Sequence, residues 1–162
     1  MRIAFGTDEV TSLTEMIEAG LVGDGHELVR TIDGAVWTDV GHGVGAAVAA
    51  GDAERGIVCC WTGTGVAMAA NKVVGVRAAL CTDAETARGA RVWNDANVLA
   101  LSLRLTSEEV AREIIDAFLT TEPDEDEREV IDGVEDVTAE GPRGPDDDGP
   151  TRAIEDDVLD DL

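Results

Sequence analysis

The chain has 162 residues, 44% of them hydrophobic, and carries 35 Asp and Glu against 12 Lys and Arg, a formal net charge of −23. This length predicts one domain with a substantial core plus an appendage. The negative charge excludes a nucleic-acid-binding protein, because phosphate backbones require a basic face and the sequence has none.

The composition also indicates the environment of the protein. Dense carboxylates keep a protein hydrated in concentrated salt. The chain also uses arginine in place of lysine, since Lys72 is its single lysine. The sequence shows no signal peptide and no apolar run of membrane length. Its three cysteines, Cys59, Cys60 and Cys81, form no paired framework, as is typical of reduced thiols. We therefore expect a halophilic, cytoplasmic protein without a membrane partner.

Apolar runs typical of strands alternate with segments of helical periodicity over the first 121 residues. The expected strands cover residues 2–6, 26–32, 55–60, 77–81 and 98–103. The expected helices cover residues 11–21, 44–50, 66–73, 83–93 and 107–119, with Asp83 as an N-cap. Five such strand–helix units predict a doubly wound, Rossmann-like three-layer α/β/α fold around a five-stranded parallel sheet.

The last part of the chain has a different composition. We expect a domain over residues 1–121, an acidic helical extension over 122–137 and an acidic tail over 138–162. Residues 122–162 contain 18 acidic and 3 basic side chains. The tail has few apolar residues with which to offset the entropy of ordering, so its composition predicts disorder.

The turn after the third expected strand is the strongest chemical signal. The apolar run from Gly56 to Cys60 leads into a turn of glycine and threonine and then into a helix. Such a junction aims several backbone N–H groups at one point, with the positive end of a helix dipole behind them. That point suits a phosphate or a developing enolate oxygen, and the thiol of Cys60 lies at its edge. The alternative is a buried cysteine that only packs.

Ligands of doubly wound sheets bind outside the carboxyl ends of the strands, at the point where the strand order reverses. Three segments are expected at those ends, namely residues 7–9, 60–65 and 94–97. The sequence therefore predicts that acidic, thiol, hydroxyl and amide side chains meet at one edge of the sheet.

Four segments in fixed order resemble one enzyme family. They are CWTGTG (60–65), AANK (69–72), VRAALC (76–81) and NDANVLAL (94–101). Together they resemble the type B ribose-5-phosphate isomerases, a family that includes the galactose-6-phosphate isomerase subunits. The first strand and its loop, the Trp37–Asp39 pair and Arg104 after the fifth strand also match, so the resemblance covers residues 1–121.

The resemblance implies an aldose–ketose isomerase that works through a cis-enediolate, without a metal or an organic cofactor. The ligand is expected to be a sugar or a sugar phosphate. The family further implies a homodimer or homotetramer whose active sites are each shared by two subunits, or a heteromer of unlike subunits.

The resemblance also assigns roles to individual residues. Cys60 matches the base that removes a proton next to the carbonyl, and a position in front of a helix favours its thiolate. Thr62 matches a hydroxyl that helps to move protons, and Asn94 matches an amide that contacts the enediolate. Asp8 matches a carboxylate that binds sugar hydroxyls, with an ordinary acidic loop residue as the alternative.

Backbone groups and flanking side chains complete the expected substrate site. The backbone amides of Trp61, Gly63 and Gly65 are expected to hold the enediolate oxygen. Glu9 and the flat ring of Trp93 are expected to border the substrate.

Three positions depart from the family pattern. Glu9 and Trp93 each stand where a histidine is common, the second being the histidine that opens the sugar ring. The acidic run 124–127 replaces an arginine cluster that reaches the neighbouring subunit's phosphate, and Arg128 after it is the one residue expected to bind substrate there. Because carboxylates repel a phosphate dianion, three hypotheses stay open. They are a sugar or sugar-phosphate isomerase with Cys60 as base, a non-catalytic or heteromeric family member, and an isomerase of unphosphorylated sugars.

Overall fold

The computed structural model of the protein describes residues 1–134, so the expected acidic tail over residues 138–162 lies outside the described residues. The strands are β1 (Arg2–Thr7), β2 (Glu27–Asp33), β3 (Arg55–Cys60), β4 (Ala78–Leu80) and β5 (Val98–Ser102). The helices are α1 (Ser12–Gly23), α2 (Trp37–Ala49), α3 (Thr64–Ala70), α4 (Ala84–Asn94), α5 (Glu108–Thr120) and α6 (Arg128–Asp132). No described helix is both long and apolar enough to span a bilayer.

The strands form one parallel sheet in the order β2-β1-β3-β5-β4. The chain runs outward from β1 to β2 and then returns to β3 on the other side of β1, so the strand order reverses between β1 and β3. In the register of the sheet, Thr7 pairs with Cys59 and Cys60 pairs with Ser102. The expected Rossmann-like fold with a five-stranded parallel sheet is confirmed, and its switch point lies beside the end of β3.

Helices cover both faces of the sheet, and neighbouring residues of β3 point to opposite faces. Cys59 belongs to the apolar cluster beneath α1, α4 and α5, whereas Cys60 belongs to the cluster beneath α2 and α3. Both residues are buried. Burial on two faces explains why β3 is a continuous apolar run rather than an alternating one.

Helix α2 begins at Trp37 rather than at residue 44, its expected start. The glycines of this segment lower its helix propensity, so the sequence pattern does not indicate the first two turns of α2. One of them is required by packing: a Cβ at Gly41 would lie 2.6 Å from the Cβ of Ala69 and 2.7 Å from the carbonyl oxygen of Val66. The glycine that weakens the sequence signal therefore permits the close approach of α2 and α3.

The ends of the other elements follow local capping. Asp83 caps α4 as expected, accepting a 2.7 Å hydrogen bond from the backbone N–H of Thr86. After α5, Pro123 disfavours helical geometry at the residue before it. The described part of the extension is a single 3-10 turn (Glu125–Glu127) followed by α6. The backbone N–H of Asp124 donates to the carbonyl of Val92 at 3.0 Å and ties the extension to α4.

Candidate active site

One group of expected site residues lies at the carboxyl ends of β1 and β3. Cys60 is the last residue of β3 and is 4% exposed, so its thiol lies just beneath the surface. Its carbonyl accepts hydrogen bonds from the backbone N–H of Gly63 at 3.1 Å and of Leu103 at 3.0 Å. The turn 60–65, hereafter the Cys60 turn, is thus closed on itself and tied to the segment after β5.

Gly63 gives the Cys60 turn its shape. Its φ is 75°, in the left-handed region that favours glycine, and it directly precedes α3. A Cβ here would lie 2.5 Å from Cδ1 of Leu80 and 3.0 Å from the carbonyl carbon and oxygen of Leu101. Backbone geometry and packing therefore both require a glycine at this position.

One tryptophan, Trp61, belongs to the Cys60 turn, and another, Trp37, packs against it. A Cβ at Gly65 would lie 3.1 Å from the ring of Trp37, so the start of α3 packs against that ring. Trp37 is 41% exposed and Trp61 is 54% exposed. The turn therefore offers aromatic surface to solvent beside a buried thiol.

Asp8 follows β1 and lies next to the Cys60 turn. Its backbone N–H donates to the carbonyl of Cys59 at 3.2 Å. Burial, and then the charge of Glu9, raise the pKa of Asp8, although the nearby backbone N–H of Trp61 opposes the shift. Oδ1 of Asp8 is buried and has no hydrogen-bond partner within residues 1–134. A ligand hydroxyl is the kind of donor that would satisfy this oxygen.

The segment around Glu9 is held by its neighbour. The hydroxyl of Thr7 donates to the carbonyl of Glu9 at 2.7 Å, and the backbone N–H of Glu9 lies 3.3 Å from the same hydroxyl oxygen. Thr7 is fully buried, whereas Glu9 is exposed. The loop after β1 is therefore anchored from below and presents Glu9 to solvent.

Arg104 is a cation beside this group. It matches the family pattern but is not among the expected site residues. Its backbone N–H donates to the carbonyl of Trp61 at 3.0 Å, and the hydroxyl of Ser102 donates to the same carbonyl at 3.0 Å. The side chain of Arg104 is exposed. Its position directly after the fifth strand was the signal that would have placed it at the carboxyl edge.

The other group of expected residues lies elsewhere, and the expectation that residues 94–97 sit at the carboxyl ends was wrong. The carbonyl of Asn97 accepts a 2.9 Å hydrogen bond from the backbone N–H of Gly56, near the start of β3. The run 94–97 leads from α4 into β5, and a connection that enters a strand lies at the amino end of a parallel sheet. Gly56 and Cys60 are four residues apart on β3, which corresponds to about 13 Å.

Trp93 and Asn94 line a groove of about 590 Å³ along the edge strand β4, and Cys60 is not among its lining residues. Trp93 is 54% exposed. Its ring lies over Gly89, where a Cβ would be 2.6 Å from Cζ3 of the indole. The groove therefore has an aromatic wall, with Asn94 at the carboxyl end of α4.

Asp95 holds this second group together by ion pairs with three arginines. Asp95, Arg77, Arg91 and Arg128 are hereafter the Asp95 corner. Its Oδ1 lies 2.7 Å from Nη1 of the fully buried Arg91, and its Oδ2 lies 2.9 Å from Nη2 of Arg77. Arg128 Nη1 is 3.5 Å from the same Oδ2, and Nη2 is 3.6 Å from Glu125. Burial opposes ionisation of Asp95, but the hydrogen bond from Arg91 and the charges of Arg91 and Arg77 lower its pKa. Arg128 is thus bound within its own chain.

Among residues 1–134, no group of three or more His, Cys, Asp or Glu side chains is arranged to hold a metal ion. The three cysteines are free, buried thiols. Burial, followed by the charges of Cys60 and Asp8, raises the pKa of Cys59 far above its usual range. Burial and the charge of Asp83 raise the pKa of Cys81 to about 11. Neither Cys59 nor Cys81 is therefore suited to act as a base.

Comparisons with known proteins agree with this architecture. The model of the Ribose/Galactose Isomerase family matches residues 3–132. Ribose-5-phosphate isomerase B of Escherichia coli is 42% identical over 126 residues, covering 73% of this chain and 83% of the relative. D-erythrulose-4-phosphate isomerase of Pectobacterium atrosepticum is 36% identical over 128 residues, covering 75% and 84%.

A solved structure gives the same result. Ribose-5-phosphate isomerase B of Clostridium thermocellum superimposes with a TM-score of 0.76 at 35% identity, covering 83% of this chain and 95% of that one. The expected resemblance is confirmed, and with it the expectation of an aldose–ketose isomerase. The fold, the ordered motifs and these relatives lead to one conclusion: the chain belongs to the Ribose/Galactose Isomerase family.

Proposed function

We propose that the protein interconverts an aldose and a ketose, as the free sugar or its phosphate, through a cis-enediolate with Cys60 as the base. The observation that carries the proposal is the Cys60 turn itself. The thiol stands at the switch point of the sheet and before a glycine-shaped turn into α3. Asp8 lies beside this turn, and its Oδ1 has no hydrogen-bond partner among the described residues.

The proposed reaction adds no atoms or electrons to the substrate and removes none. The Cys60 thiolate takes the proton from the carbon next to the carbonyl, and the electron pair of that C–H bond forms the C=C bond of the enediolate. The carbonyl π electrons move to its oxygen, where backbone N–H groups of the Cys60 turn stabilise the charge. Gly63 is not one of these donors, contrary to the expectation from the sequence, because its backbone N–H already donates to the carbonyl of Cys60. The thiol then returns the proton to the neighbouring carbon. The hydroxyl of Thr62 is assigned to move the proton between the two substrate oxygens.

Two subunits are proposed to build each site. Trp93 and Asn94 lie towards the amino end of the sheet, whereas Cys60 lies at the carboxyl end. If the two groups act together, Asn94 must approach the Cys60 turn of another copy. We therefore propose a homodimer or a larger homo-oligomer with shared sites, in a halophilic cytoplasm.

The charges around the two groups bear on the substrate. Arg104 is a cation that the fold places beside the Cys60 turn, and we assign it to an anionic group of a sugar phosphate. A specific observation favours a second candidate, an unphosphorylated sugar. Arg128, the cation of the extension, is already paired with Asp95 and Glu125 and is not available as a second phosphate ligand without breaking those pairs.

The test follows the exchange of the carbon-bound substrate proton with deuterated water by NMR, in concentrated salt. The panel pairs phosphorylated and free tetroses, pentoses and hexoses. The wild-type chain is expected to exchange the proton of at least one sugar, and Cys60→Ala to lower the rate by about a thousandfold or more. Cys59→Ala removes the neighbouring thiol on the opposite face of the sheet and is expected to keep the activity.

Each outcome decides between the hypotheses. An active, folded Cys60→Ala variant would overturn Cys60 as the base. A folded wild-type chain that exchanges no sugar would overturn catalysis by this chain alone and favour the non-catalytic or heteromeric alternative. Exchange confined to free sugars would remove the assignment of Arg104 to a phosphate.

A further inference from the structure

We propose that Thr64 is a positioning residue that orients the hydroxyl of Thr62 towards the substrate oxygens. The inference rests on the proposed function, in which Thr62 moves a proton between those oxygens. It starts from one contact inside the Cys60 turn: Oγ1 of Thr62 and Oγ1 of Thr64 are 2.7 Å apart.

The geometry of the turn creates this pair. Gly63 lies between the two threonines with a φ of 75° and reverses the local course of the chain. Thr64 is the first residue of α3, so its backbone is fixed by the helix, and its branched Cβ limits the rotamers of the side chain. Thr62 lies in the loop and has no helix to hold it. The contact therefore joins a constrained hydroxyl to a less constrained one.

Either hydroxyl of this pair can donate, and the role proposed for Thr62 requires that Thr64 be the donor. Each threonine hydroxyl supplies one donor and two acceptor positions. When Thr64 donates to Thr62, the single proton of Thr62 remains free to point at a substrate oxygen, and a second lone pair remains free to accept. A proton carrier between two oxygens needs this pair of free positions.

Stability does not account for the pair. Both threonines are exposed, and neither side chain belongs to a core cluster. A neutral hydrogen bond open to water adds little net free energy, because water replaces it when it breaks. The contact is therefore better explained by the orientation that it imposes on Thr62 than by any contribution to folding.

The experiment is a double-mutant cycle on the oligomer, with kcat and KM measured separately. Thr64→Val keeps the shape and removes the hydroxyl, so kcat is expected to fall about fivefold to tenfold while KM stays within about twofold. Thr64→Ser restores the hydroxyl and is expected to recover most of kcat. In a Thr62→Val background, Thr64→Val is expected to cause no further loss, because no hydroxyl is left to orient.

Thr120→Val is the matched control, since it makes the same change at the end of α5, where the hydroxyl donates to the carbonyl of Asp116. The proposal is overturned if Thr64→Val keeps the wild-type kcat, if Thr64→Ser fails to recover it, or if Thr64→Val costs as much in the Thr62→Val background. Circular dichroism checks that each variant is folded. These outcomes differ from failure of the proposed function. An active Cys60→Ala variant would overturn Cys60 as the base and leave the threonine cycle unaffected, whereas a folded wild-type chain that turns over no sugar would overturn both proposals.

Discussion

The Cys60 turn is the first of the four family motifs and the Asp95 corner is built around the last, and the two are stabilised by opposite means. The turn is held by backbone hydrogen bonds and a left-handed glycine, and Asp8 beside it keeps a buried oxygen without a partner among the described residues. In the corner, both oxygens of Asp95 face arginines, one of them fully buried. Each region keeps one buried polar atom without a partner among the described residues, Oδ1 of Asp8 and Nη2 of Arg91. The comparison teaches that the Asp95 corner balances its buried charge with ion pairs, whereas within residues 1–134 the carboxylate beside the Cys60 turn has no such cation at its buried oxygen.

The largest effect on stability is expected at the Asp95 corner. Asp95→Asn keeps the left-handed backbone, with a φ of 42° that asparagine tolerates, but removes the charge that balances buried Arg91. An uncompensated buried charge lowers the free energy of unfolding by roughly 3 kcal/mol. Urea denaturation in concentrated salt measures the change. Glu85→Gln is the matched control, because its ion pair with Arg88 is exposed and contributes little.

The pH dependence of the same variant sharpens this prediction. The pKa of Asp95 is lowered in the folded chain, so its stabilising effect is present above the ordinary carboxyl value of 3.8 and is lost as the pH falls through the folded value. Wild type and Asp95→Asn should therefore differ most near neutral pH and converge in acid. A constant difference across this range would contradict the role assigned to the charge.

The smallest effect on the free energy of unfolding is expected at Asp8, beside the Cys60 turn, and it has the opposite sign. The pKa of Asp8 is raised by burial and by Glu9, so its ionisation at neutral pH opposes folding. Asp8→Asn should raise the free energy of unfolding by less than about 1 kcal/mol while raising KM for the sugar. Glu9→Gln, which removes the neighbouring exposed charge, is the comparison. A less stable Asp8→Asn variant would break the contrast between the two regions.

Periodicity and turn chemistry were enough to predict the sheet and the capping of α4. Apolar runs and helical spacing are local properties of the sequence, and in this fold they coincide with the observed strands and helices. The first two turns of α2 were missed because Gly41 serves contact with α3, a tertiary requirement that opposes helix propensity.

The Cys60 turn was also foreseeable, since a strand, a glycine turn and a helix stand in sequence order. Residues 94–97 were expected at the carboxyl edge of the sheet and lie at its amino edge. The order of the elements was sufficient to place them correctly, because a segment that leads into a strand lies at the amino end of that strand. The pairing of Arg128 with Asp95 was beyond the sequence, since it joins residues that only the folded extension brings together.

The most direct test of the central claim, that two subunits share each site, mixes two inactive variants. Cys60→Ala and Asn94→Ala are purified separately, mixed under dissociating conditions and reassembled, and the isomerase rate is followed. A mixed dimer contains one site with both substitutions and one with neither, so activity should return to about a quarter of the wild-type rate. Activity no greater than that of the separate variants, from a reassembled oligomer, would contradict the shared site.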